Sequence, residues 1–168
     1  MDYVKKESLR VLDPEFRRAR EAGQPLALAT DAGRRYLYRS LTNDELAREP
    51  RSTPVYREML LRGGLDERLR AEAIDALAKA EGTTPGKIVS QAIASLDAGD
   101  GATESATVFE LVRAALVRPA GEVAQLRTDL EKLTTSAKRP ELRRIGYVSL
   151  MTIDAAAGDP VAKVWQLA

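Results

Sequence analysis

A chain of 168 residues, 44% of them hydrophobic, can bury a core of its own without disulfides or metals to staple it. Lys and Arg number 26 against 25 Asp and Glu, a formal charge of +1, so no global field draws the chain onto nucleic acid or an anionic bilayer. Cysteine and histidine are both absent, which excludes disulfides, thiolate and imidazole metal sites, thioether-attached haem and imidazole-activated nucleophiles.

Ala and Leu recur throughout, beside a single Trp, five Tyr and two Phe, a composition suited to helices with an aliphatic core. The first forty residues are the least regular. Asp13 as cap and Pro14 at the first helical position predict a helical turn or two through Arg20. Leu26–Ala29 and Arg35–Tyr38, on either side of Thr30–Gly33, predict a small β-hairpin that would rest on the helices after it.

From Thr42 the punctuation is consistent. Thr42 and Glu45 have capping-box spacing and open a short helix that closes near Pro50. Thr53 and Pro54 open a helix ending at Gly63–Gly64, and Asp66 caps a longer one through Ala80 that Gly82 stops. Thr84 and Pro85 begin the next, with Ile88, Val89, Ala92, Ile93 and Leu96 on one face, and residues 97–101 form a loop. Residues 104–117 carry a stripe of Val108, Leu111, Val112, Ala115 and Leu116. After Pro119 and Gly121 another runs through Val123, Leu126, Leu130 and Leu133. Thr134–Ala137 reads as a polar break, Pro140 begins a helix reaching Ile153, and Pro160 starts one more that stops at Ala168, as if a following partner helix were supplied from elsewhere.

Single amphipathic helices cannot hide such stripes, so the expected fold is all-α: an N-terminal segment, residues 1–40, before a helical domain of residues 41–168. That domain is either a HEAT-like right-handed α-solenoid or a compact antiparallel helix array. Tyr36–Leu46, Ser52–Arg62 and Arg70–Lys79, with Pro140–Tyr147 and Asp159–Ala162, resemble a HEAT-type helical region found in large planctomycete multidomain proteins. Those proteins also carry a c-type cytochrome domain and are membrane-associated and dehydrogenase-like. The resemblance covers about residues 35 to 168 and implies a spacer or docking domain in an extracytoplasmic redox protein. The haem-bearing CxxCH segment of that family has no counterpart in this sequence, so no haem role follows.

Few residues invite a chemical role. Asp97, Asp100 and Glu104 offer oxygen ligands without the alternation of a calcium loop, and are expected to be solvated. The glycines at 63–64 and 82–86 lack phosphate-loop spacing and read as helix punctuation. Pairs such as Glu67 with Glu72, or Glu122 with Asp129 and Glu131, show no sign of a shared cleft for acid/base work. Arg139, Arg143 and Arg144 make a basic ridge expected to pair with carboxylates of an adjacent helix. Arg17, Arg18, Arg20, Arg34, Arg35 and Arg39, with Tyr36 and Tyr38, form the most basic stretch and, with Trp165, the candidate interaction surface.

The expected function is therefore a noncatalytic scaffold or protein-interaction module, with no cofactor and no metal, whose partner is a protein or a neighbouring domain. A compact regulator contacting nucleic acid through the basic N-terminal stretch is the alternative. No run approaches the roughly 18 apolar residues that span a bilayer, so no membrane insertion is expected, and the compartment stays open.

Overall fold

A computed structural model describes residues 14–15, 17–19, 22, 31–98 and 102–156. Eight helices order residues 31–98 and 102–156: α1 (Asp31–Ser40), α2 (Asn43–Arg48), α3 (Thr53–Leu61), α4 (Glu67–Glu81), α5 (Pro85–Asp97), α6 (Ala102–Leu116), α7 (Ala120–Ser136) and α8 (Pro140–Ala156). Among the described residues there is no strand. Residues 14–15 and 17–19 are helical as Asp13 and Pro14 predict, and Arg18 pairs with Glu15 at 2.8 Å. The chain divides into two compact units between Leu37 and Tyr38.

The expected hairpin is overturned in its second half, because Arg35–Tyr38 lies within α1 and residues 31–33 of the expected turn form its first turn. Its first half, Leu26–Ala29, lies outside the described residues. Four residues are too few to separate a period of two from one of 3.6. Leu37 and Leu41, four apart, are buried, while Arg34, Arg35, Tyr36 and Arg39 are exposed, which is the periodicity of a helix.

The caps follow the sequence. Thr42 Oγ1 accepts from the Glu45 N–H at 3.2 Å, and Glu45 Oε2 accepts from the Thr42 N–H at 2.8 Å, completing the capping box of α2. Asp66 caps α4 by accepting from the Arg68 N–H at 2.8 Å, and Gly82 ends it in the left-handed region at φ 62°. Thr84 caps α5, with Pro85 at its first position. Replacing Thr42 with Ala should lower stability by about 1 kcal/mol in urea unfolding, and no measurable loss would contradict the cap assignment.

Helices α3 and α4, α5 and α6, and α7 and α8 pack as successive pairs. The first and last pairs are antiparallel: Arg57 meets Glu81 where Arg70 meets the Leu60 carbonyl, and Arg127 meets Asp154 where Gly146 abuts Thr134. Beyond neighbours in sequence, the substantial contacts join helices two apart. Helix α3 packs on α5 and α5 on α7, while α4 packs on α6 and α6 on α8. Two layers result, and one continuous core runs between them from Leu60 and Ile74 through Val89, Val108 and Leu111 to Leu130, Leu142 and Leu150.

Candidate functional site

Arginine and carboxylate pairs tie the helices together. Arg51 meets Glu72 at 2.8 Å, and the Tyr56 hydroxyl donates to the same carboxylate at 3.1 Å. Burial and that bond to Glu72 raise the Tyr56 pKa above its ordinary value. Arg57 holds Glu81, Arg113 holds Glu67, and Arg127 holds both Glu131 and the buried Asp154. Arg118 bridges Glu122 and Asp75; burial opposes its charge, but these two hydrogen bonds outweigh it and hold the guanidinium above its usual pKa. The carboxylates weighed in the sequence as acid/base pairs are thus held in ion pairs, Glu67, Glu72, Glu122 and Glu131 each by an arginine, while Asp129 lies 3.8 Å from Lys132.

The most buried of these cations is Arg70, only 1% exposed. It donates to the Leu60 carbonyl at 2.8 Å, the Arg62 carbonyl at 2.7 Å and Glu110 Oε2 at 2.5 Å. Burial lowers its pKa, and the adjacent Glu110 offsets part of that fall. Glu110 also accepts from the Gly64 N–H at 3.2 Å, where the chain turns at φ 66°, so one ion pair fastens the end of α3 and its turn to both α4 and α6. Arg62 extends the network, donating to the Tyr38 carbonyl at 2.6 Å and the Leu41 carbonyl at 2.7 Å while holding Glu58.

Arg17, Arg18, Arg34, Arg35, Tyr36 and Arg39 are exposed, Tyr38 is partly buried, and Arg39 lies 4.0 Å from Glu58. Arg20 and Trp165 lie outside the described residues, as do Asp100 and the side chain of Glu104 from the acidic loop. From the basic ridge, Arg139 donates to the Leu96 carbonyl at 2.9 Å and Arg143 to the Ala137 carbonyl at 2.9 Å, capping helix ends through backbone oxygens.

A groove of about 210 Å³ that sequence reasoning missed lies between α5 and α7. Ile93, Leu126, Leu130 and Leu133 make its floor, with Ser90 and Asp97 along α5 and Asp129, Lys132 and Ser136 along α7. The signal was present: Ser90 and Asp97 stand at helical spacing with Ile93, polar residues at stripe positions, just as Arg70 stands in register with Ala73, Ile74 and Leu77.

Among the described residues no group of three or more acidic side chains is placed to hold a metal ion, and no helix is long and apolar enough to cross a membrane. No family model, curated protein or solved structure matches the chain.

Proposed function

We propose that the helical unit is a noncatalytic scaffold, a short α-solenoid of the HEAT type that holds a protein partner or neighbouring domains on one layer of its helices. The observation that carries this reading is the contact pattern: three helix pairs in succession, each packed on the next through helices two apart. A closed bundle brings its first and last helices together, whereas stacked pairs leave two open layers along which a partner can lie. The arginine-locked carboxylates support a noncatalytic role. The sequence resemblance to HEAT regions beside c-type cytochrome domains agrees with it and adds the expectation of a docking or spacer element in an extracytoplasmic redox protein.

Photo-crosslinking in the native host tests the reading. A photoreactive residue at exposed Ala94 or Gln125, in the α3–α5–α7 layer, should give a discrete adduct with one protein, and one at exposed Val148 of the other layer should give none. Absence of adducts from both layers would overturn the scaffold. The nucleic-acid reading has less support, because Arg18 is paired with Glu15 and Arg39 stands near Glu58. Titration with single- and double-stranded DNA at low salt should show no salt-sensitive affinity.

A further inference from the structure

Two buried oxygens of the α5/α7 groove have no hydrogen-bond partner among the described residues, Ser90 Oγ and Asp97 Oδ1. Asp97 Oδ2 accepts only a long bond from the Lys138 N–H, at 3.5 Å, and Asp97 forms no ion pair among the described residues. Of the nearby cations, Arg139 donates to the Leu96 carbonyl at 2.9 Å and Lys132 lies 3.8 Å from Asp129. The lining therefore carries two carboxylates against one ammonium, with a carboxylate oxygen shielded from water and unmatched. Such a group is costly unless a donor, best a cation, reaches it.

We infer that the groove receives a lysine or arginine side chain from a basic segment of a partner protein. Seven residues of helix separate Ser90 from Asp97, about 10 Å along the axis. A long cationic side chain fits that span, with its stem on Ile93, Leu126, Leu130 and Leu133, its charged head at the Asp97 carboxylate, and a backbone N–H of the segment beside Ser90. The volume is smaller than the roughly 300–1,000 Å³ of small-molecule pockets, which suits one side chain rather than a whole ligand. This rests on the scaffold reading and gives the partner a chemistry.

The probe is a capped hexapeptide with one central arginine in an Ala/Ser background, with lysine, citrulline and glutamate counterparts, titrated into the full chain while amide shifts are followed by NMR. The arginine and lysine peptides should shift resonances of residues 90–97 and 126–137, and citrulline should bind at least tenfold more weakly. Asp97→Asn should weaken arginine-peptide binding roughly tenfold, the worth of a charge-assisted hydrogen bond. Ala94→Arg, at an exposed position on the groove wall, should block the peptide while leaving the fold intact, and so keeps the test decisive if the Asp97 variant folds poorly. Equal binding of citrulline, preference for the glutamate peptide through Lys132, or no shifts at millimolar peptide would each overturn the inference. Crosslinks from Ala94 without peptide binding would remove the groove's occupant and leave the scaffold standing; peptide binding without crosslinks would do the reverse.

Discussion

Replacing Arg70 with Ala should cost about 3–5 kcal/mol, toward the lower figure because its partner Glu110 keeps about a quarter of its side chain, 27%, in contact with solvent. The loss has three sources. The Leu60 and Arg62 carbonyls lose their donor, Glu110 loses its cation, and a large buried side chain leaves a cavity. Arg70→Lys keeps the charge but cannot reach three separate acceptors with one ammonium, so it should recover less than half of the loss. Arg70→Met combined with Glu110→Gln should be milder than Arg70→Ala alone, since it removes both charges and fills the space. Urea unfolding followed by circular dichroism measures all three, and a loss below 1 kcal/mol for Arg70→Ala would contradict the buried-clamp account.

Gly146→Ala should destabilise by about 2–3 kcal/mol despite the better helix propensity of alanine. A Cβ at this position would stand 2.6 Å from Thr134 Oγ1, 2.9 Å from the Thr134 nitrogen and 3.0 Å from the Leu130 oxygen. Two of those three atoms belong to the backbone of α7, so relief requires α8 to move away rather than a side chain to rotate. The comparison is Gly121→Ala near the start of α7, where nothing lies within 4 Å; that change should be neutral or stabilise by up to about 1 kcal/mol. Equal effects at the two glycines would refute the close approach of α7 and α8.

Much of the helical domain could be read from residues alone because local signals agreed. In α5, Thr84 caps, Pro85 starts, and all five predicted apolar positions, Ile88, Val89, Ala92, Ile93 and Leu96, are buried. Signals failed where they were short or where a polar residue was satisfied inside the fold. Thr134–Ala137 reads as a break, yet α7 continues through Ser136 and ends only at Ala137, since Thr134 and Thr135 donate to the Leu130 and Glu131 carbonyls one turn back. Val148 belongs to the apolar run of α8 but is 58% exposed, because that run is wider than the face its neighbours cover. Arg70, Ser90 and Asp97 stood in plain view at buried-face spacing; the approach of Glu110 to Arg70, and of α7 to the α5 face that carries Ser90 and Asp97, is set by tertiary packing that no local pattern encodes. The stacking of α3 on α5 and α5 on α7 was equally hidden, since the pairs share no strict sequence period.

Native-state hydrogen exchange on Gly146→Ala tests the stacked-pair arrangement most directly. Stacked pairs couple chiefly to their neighbours, so protection should fall in α7 and α8, fall less in α5 and α6, and stay unchanged in α3 and α4. An equal loss across the slowest amides of every helix from α3 to α8 would mean a single cooperative globule and would contradict the solenoid.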